Sequence, residues 1–105
     1  MSAITLFYVP TASSESAQNL GEVLLNQGLV GCVNIVPVTS MYHLGDEIAR
    51  DGEFILVAKT TNELALQVEQ VLEEVHPYDT PCILFFQVKV NASYYAWLCD
   101  QVVNP

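Results

Sequence analysis

The stretch EVHPYDTPCILFFQVKV, residues 74–90, marks the point where a helix has to end and a strand begins. Pro77 pushes His76 out of the helical region, because the residue before a proline avoids helical dihedral angles. The run 82–90 is apolar and rich in β-branched and aromatic residues, which is typical of a strand. The loop is either only a helix stop or also the rim of a site, because it carries four side chains able to bind ligands or transfer protons: His76, Tyr78, Asp79 and Thr80.

The residues before this stretch predict the helix that it ends. Apolar side chains recur at helical spacing at Leu64, Val68, Val71, Leu72 and Val75. Thr60 and Glu63 have the spacing of a capping box at the start of that helix. The segment EFILVAKT (53–60) directly before the box is typical of a strand.

The first half of the chain repeats the order strand, helix, strand. ITLFYVP (4–10) predicts a strand that Pro10 closes, and the following segment to Gly28 predicts a helix capped by Ser13 or Ser14. Gly21 in that helix suggests a close approach to the sheet. LVGCVNIVPV (29–38) predicts a strand that is bent or bulged near Pro37, since proline cannot donate to a ladder. Residues 39–53, with Gly45 and the triplet RDG, predict a hairpin or a loop-rich extension.

The C-terminal segment NASYYAWLCDQVV (91–103) predicts a final helix capped by Asn91 or Ser93. The complete order is β-α-β-β-α-β with an extra C-terminal helix, which indicates the α+β class and a ferredoxin-like sandwich. At 105 residues, positions 1–105 should form a single domain. One face of the last helix would carry Tyr94, Trp97, Leu98 and Gln101.

Composition restricts the partners of the chain. The apolar share is 51% and the charged share only 14%, so part of the surface is expected to be buried between subunits of a homo-oligomer. The net charge of −9, with Arg50, Lys59 and Lys89 as the only cations, argues against nucleic acid and favours cations or a small ligand held by local charge. No apolar run is long enough to cross a membrane, and no signal peptide is visible, so a cytoplasmic location is expected.

Four motifs occur in an order and spacing that resemble the CutA family of divalent-cation tolerance proteins: GCVNIVPVTSMYH (31–43), KT (59–60), HPYDTP (76–81) and YYAWL (94–98). The resemblance implies a compact homotrimer in which strands two and three extend to pair between subunits. It also implies a role in tolerance of copper and other divalent metals. The chain departs from the common family pattern at Leu44, at the turn GDEI, at Asp79 and at Cys82.

Candidate metal ligands are His76, Cys32, Asp79 and Cys82, with Cu²⁺ or Zn²⁺ as the expected ion at clefts between subunits. Each also has a simpler interpretation. His76 would complement the helix dipole as the last helical residue, and Asp79 would form a turn. Cys32 and Cys82 would each be a small core residue. The three cysteines of the chain form no CxxC pair.

A second hypothesis places a small anionic metabolite in an inter-subunit cleft formed by Lys59, Tyr42, Tyr78 and Trp97. Lys59 is a cation in an apolar strand, where an unpaired charge is costly unless the side chain reaches solvent or an anion. The aromatic side chains would instead pack the trimer if no ligand binds. A third hypothesis is a structural or anchoring trimer. An enzyme is not expected, because the chain has no G-x-S-x-G, HExxH or paired-carboxylate signature.

Overall fold

A computed structural model describes residues 2–104, which form four β-strands and three α-helices. Their order confirms the predicted ferredoxin-like α+β arrangement with an extra C-terminal helix. Among these residues, no helix is both long and apolar enough to cross a membrane. The elements are β1 Ser2–Thr11, α1 Ser14–Asn26, β2 Cys32–Leu44, β3 Glu47–Thr60, a 3-10 turn Asn62–Leu64, α2 Ala65–Val75, β4 Leu84–Val90 and α3 Ala92–Gln101.

The strands form one antiparallel sheet in the order β2-β3-β1-β4. Successive side chains on a strand point to opposite faces, so Phe7 and its partners Ala58 and Phe85 share one face. Tyr8 and its partner Leu84 lie on the other. The first is called the covered face and the second the open face.

The covered face packs against α1 and α2 and forms the hydrophobic core. Ser13 caps α1 as predicted, since its Oγ accepts a hydrogen bond of 3.0 Å from the Ser16 backbone N–H. Gly21 permits the predicted close approach, because a Cβ there would lie 3.1 Å from a methyl group of Val33. The fully buried core side chains include Phe7, Val9, Leu24, Leu56, Ala58, Leu64, Val68 and Leu72.

The open face is covered only at one end, where α3 lies on the sheet. Leu98 of α3 is fully buried, and a Cβ at Gly31 would clash with its side chain, so the helix depends on this glycine for its close approach. Farther along the face, four large side chains stay between 38% and 52% exposed: Tyr8, Val36, Leu84 and Phe86. A single folded chain therefore leaves much of this apolar surface uncovered.

The segment 39–53 is a hairpin, the first of the two alternatives that the sequence allowed. The pairs Val38↔Glu53 to Leu44↔Glu47 continue β2 and β3 outward as a two-stranded ribbon, residues 38–53, closed at Gly45 with φ of 63°. The strands therefore run farther toward the turn than the predicted 29–38 and 53–60, and the molecule is 47 Å long. Gly45 and Gly52 made this region resemble a loop.

Two local features expected from the sequence, a bulge near Pro37 and a helix cap at Thr60, are absent. No bulge interrupts the pairing near Pro37, which faces Phe54 in an unbroken register, because β2 is an edge strand and one side of its backbone needs no ladder partner. Thr60 does not cap α2, because it ends β3 and its buried hydroxyl donates to the Leu29 carbonyl oxygen at 2.6 Å. The turn before α2 instead begins at Thr61 without a side-chain cap.

Candidate functional site

The loop between α2 and β4 is anchored by His76. Helix α2 ends there as predicted, with His76 in an extended conformation at φ −66° and ψ 132°. Its imidazole is buried, and its Nε2 lies 2.8 Å from the Pro10 carbonyl oxygen. Its Nδ1 accepts a hydrogen bond of 3.1 Å from the backbone N–H of Tyr78. Because Nδ1 accepts, the ring proton lies on Nε2 and donates to Pro10.

This arrangement decides what His76 does within one chain. Both ring nitrogens are engaged in hydrogen bonds to the backbone, so the ring ties the loop to the end of β1. Binding of a metal by His76 stays a prediction, and it would require one of these two hydrogen bonds to break. The ring also lies 4.7 Å from that of Tyr78, measured between centroids.

Two tyrosine–carboxylate pairs lie beside the anchored loop. The Tyr78 hydroxyl donates to Glu53 Oε2 at 2.7 Å, and the Tyr42 hydroxyl donates to Asp51 Oδ2. Burial and the Glu53 carboxylate raise the pKa of Tyr78 to about 12. The hydrogen bond to Asp51 is the main cause that raises the pKa of Tyr42 above 10. Both phenols therefore stay protonated donors at neutral pH.

These pairs line a cavity of about 760 Å³ on the open-face side, at the base of the ribbon. Asp51 and Glu53 are two residues apart on β3, so the alternation of the strand points both toward it. Among the described residues, none that lines the cavity is a lysine or an arginine. The tyrosine–acid cavity is defined here by Met41, Tyr42, Asp51, Glu53, Tyr78 and Cys82.

A second group of predicted site residues lies at the opposite end of the open face, next to α3. Lys59 pairs with Cys32 across β3 and β2, and its Nζ lies 5.4 Å from the centroid of the Tyr94 ring. Burial raises the pKa of the Tyr94 hydroxyl, and the nearby Cys32 thiol adds to the effect. That hydroxyl is buried without a hydrogen-bond partner among residues 2–104. The lysine–cysteine cluster consists of Cys32, Lys59, Tyr94 and Trp97, whose ring lies 5.4 Å from Tyr94.

The predicted site residues are thus divided between two places. Lys59 and Glu53 are six residues apart on β3, which corresponds to about 20 Å along a strand. Within one chain, Lys59 and Trp97 are therefore remote from Tyr42 and Tyr78.

The predicted metal ligands are divided in the same way. Cys32 lies in the lysine–cysteine cluster, whereas Cys82 lines the tyrosine–acid cavity and Asp79 is exposed in the adjacent loop. In the part of the chain that the structure describes, no three His, Cys, Asp or Glu side chains come together as a group that could hold a metal ion. A divalent ion with three such ligands would need side chains from more than one copy of the chain.

The sequence did not predict the roles of Asp51 and Glu53. Asp51 lies in the segment 39–53, which the sequence left open between a hairpin and a loop-rich extension, and Glu53 lies where that segment meets the predicted strand 53–60. The available signal was their spacing of two residues, which places both carboxylates on one face once the segment is recognised as a strand. Their partners Tyr42 and Tyr78 are 9 and 25 residues away along the chain, so the pairs depend on the fold.

Comparisons with known proteins agree with this architecture. Residues 5–101 match the family model described as CutA1 divalent ion tolerance protein. The chain is 33% identical to the divalent-cation tolerance protein CutA of Thermotoga maritima, over 93% of this chain and 98% of the relative.

Solved structures show the same fold. The crystal structure of the divalent ion tolerance protein CutA1 from Ehrlichia chaffeensis superposes with a TM-score of 0.93, at 33% identity over 96% of each chain. A structure described as the periplasmic divalent cation tolerance protein CutA from Archaeoglobus fulgidus gives 0.89, at 28% identity over 95% of this chain and 99% of that one.

Proposed function

Because this chain belongs to the CutA1 family of divalent ion tolerance proteins, we propose that it contributes to cation tolerance as a homotrimer that binds divalent metal ions at clefts between subunits. The observation that carries the proposal is the open face of the sheet. Tyr8, Val36, Leu84 and Phe86 present a row of large apolar side chains that the chain itself leaves 38% to 52% exposed. Such a surface is typical of an interface between subunits that do not separate.

The separation of the predicted ligands supports the same assembly. Cys32 and Cys82 lie at opposite ends of the open face, and among residues 2–104 neither belongs to a group of three His, Cys, Asp or Glu side chains that could hold a metal ion. Packing of open faces against one another would bring side chains of different subunits together, and the extended ribbon supplies edges for pairing with a neighbour. A thiol ligand favours Cu or Zn over Mg or Ca, which is why copper and zinc are the proposed ions.

The proposal describes a binding protein and not an enzyme. The relatives reported above are named for divalent-cation tolerance. Tyr42 and Tyr78 have raised pKa values, so they stay protonated hydrogen-bond donors and are not activated as bases or nucleophiles. A cytoplasmic location is also proposed, because the three free cysteines Cys32, Cys82 and Cys99 fit a reducing compartment.

The experiment has two stages. Light scattering on the purified protein at micromolar concentration should give the mass of three subunits. Isothermal titration with Cu²⁺ and with Zn²⁺ should then show binding that weakens in Cys32→Ser or Cys82→Ser. Cys99→Ser is the matched control, since its thiol is exposed on α3 and belongs to neither place described above. The mass of a single subunit would refute the trimer. Metal affinities that are equal in the wild type and all three variants would refute Cys32 and Cys82 as ligands.

A second candidate function is the sensing of a small anion, and a specific observation favours it. Lys59 lines a cavity of about 260 Å³ together with Tyr94, whose buried hydroxyl has no hydrogen-bond partner among the described residues. An anion there would accept from both groups. Thermal-shift screening with small carboxylates and phosphates should find stabilisation that disappears in Lys59→Ala but persists in Arg50→Ala, because Arg50 lies on the ribbon and does not line this cavity. If none of these anions stabilised the protein, this candidate would be ruled out.

A further inference from the structure

The tyrosine–acid cavity is too large to be explained by a bare metal ion. Its volume of about 760 Å³ falls in the range of sites for small organic molecules, roughly 300 to 1,000 Å³. Within the described chain, its acidic side chains do not form a three-ligand metal group. Its size and its donor set therefore point to an organic ligand.

The charge of the cavity determines the sign of that ligand. Asp51 and Glu53 line it, and no lysine or arginine does so among residues 2–104. The whole chain adds to this field, because its net charge is −9. An anionic metabolite would be repelled from the cavity, whereas a cation would be attracted. The anion expected at Tyr42 and Tyr78 from the sequence is therefore disfavoured at this end of the open face.

The chemistry of the walls fits an ammonium group. Each carboxylate accepts one tyrosine hydroxyl and keeps further lone pairs for N–H donors. The hydrogen bond from Tyr78 also fixes the orientation of the Glu53 carboxylate at 2.7 Å, so an incoming donor meets an acceptor that is already ordered. Tyrosine rings attract cations through their faces. The two carboxylates start about 7 Å apart along the strand, a separation that two amino groups of one short ligand can span.

We propose that the tyrosine–acid cavity is a binding site for a small organic amine, protonated at neutral pH, with Asp51 and Glu53 as the acceptors of its N–H groups. The hydroxyls of Tyr42 and Tyr78 hold the acceptors in place, and the aromatic rings form the walls. This site differs in ligand class from the metal-binding clefts proposed above, which depend on thiols. The two share only Cys82, which lines the cavity but is not one of the proposed acceptors.

The test is isothermal titration of the assembled protein with diaminobutane, and with succinate as an anionic ligand of matched length, in a buffer free of amines. Diaminobutane should bind, and succinate should not. Glu53→Gln should weaken diaminobutane binding by about tenfold or more, the effect of losing a charged hydrogen bond. The glutamine can still accept from Tyr78, so the fold is expected to survive. Asp51→Asn provides a second variant if it does not.

Glu47→Gln is the matched control, because it removes the same unit of charge from the same ribbon outside the cavity. Equal weakening in Glu47→Gln and Glu53→Gln would mean that net charge alone attracts the amine, and this would overturn the proposal. Absence of diaminobutane binding, or binding of succinate that is lost in Tyr78→Phe, would overturn it as well. Titration of Cys32→Ser with Zn²⁺ and with diaminobutane keeps the two proposals distinguishable, since Cys32 lies outside the cavity and amine binding should be unchanged in this variant.

Discussion

The two faces of the sheet differ sharply although the same four strands form both. On the covered face, Phe7, Val9 and Leu56 are completely buried by α1 and α2. On the open face, Leu84 and Phe86 remain about half exposed, because α3 covers only one end. The chain therefore completes one hydrophobic layer by itself and leaves the other largely uncovered. Subunit stability and assembly should accordingly respond to different substitutions.

The same difference locates the chemistry of the molecule. The tyrosine–acid cavity and the lysine–cysteine cluster both lie on the open-face side, at its two ends. On the covered face, buried polar groups form hydrogen bonds between parts of the fold, as the Thr60 hydroxyl does when it donates to the Leu29 carbonyl oxygen. Side chains that could bind a ligand are thus placed where folding of a single chain leaves the sheet accessible.

The largest effect is expected for Leu72→Ala on the covered face. Leu72 is completely buried in the core, so the substitution should lower the free energy of unfolding by about 2 to 5 kcal/mol. Urea denaturation measures it. Leu66→Ala on the same helix is the control, because Leu66 is 72% exposed and should change stability by about 0.5 kcal/mol or less. Similar losses in both variants would mean that the covered face is not the main source of stability.

Phe86→Ser on the open face should instead change the assembly. Since Phe86 is 48% exposed in one chain, its loss should alter the stability of an isolated subunit by only about 1 kcal/mol. In the proposed trimer it would remove buried interface area, so light scattering should detect smaller species than in the wild type. Leu66→Ser, on the helix side, should leave the mass unchanged. An unchanged mass for Phe86→Ser would contradict the assignment of the open face as the interface.

Local backbone chemistry made much of the fold predictable from sequence. Pro77 ends α2 at His76, and Ser13 caps α1, because both effects need only neighbouring residues. The capping box at Thr60 failed because a carbonyl 31 residues away competes for the same hydroxyl. The ribbon was left open between hairpin and loop because its strands are defined by pairing with each other, and its two glycines obscure the alternation.

The candidate site was less predictable, because its contacts are long-range. The sequence identified the loop and both tyrosines, but it did not identify Asp51 and Glu53 as their partners. It also grouped Lys59 with the loop, although strand geometry places Lys59 about 20 Å from the cavity within one chain. Spacing along β3 could have revealed this separation once the strand was known to be continuous from Glu47 to Thr60.

A smaller effect than that of Leu72→Ala is expected for His76→Ala, which tests whether the loop beside the open face is held by the imidazole. The substitution leaves the Pro10 carbonyl and the Tyr78 N–H without their partner, at a cost of about 1 to 3 kcal/mol in unfolding free energy. His43→Ala is a matched control, because His43 is exposed on the ribbon. If the two variants lost equal stability in urea, the buried imidazole would not be the anchor of the loop.

The smallest effect concerns pH and the Tyr78–Glu53 pair. Burial and Glu53 raise the pKa of Tyr78 from 10.0 to about 12 in the folded protein, so the folded state holds the phenolic proton more tightly than the unfolded state. The resulting stabilisation is fully present below pH 10, declines between pH 10 and 12, and is absent above that range. Relative to Tyr78→Phe, the wild type should therefore lose stability as pH rises through this interval.

Ultraviolet titration measures the ionisation of Tyr78 directly. The variant Tyr78→Phe should lack a phenol that ionises near pH 12 in the wild type. The variant Glu53→Gln should lower the midpoint of that ionisation, because the neighbouring negative charge is gone. If the phenol that Tyr78→Phe removes were found to ionise near pH 10 in the wild type, Tyr78 would not be buried against Glu53 in solution.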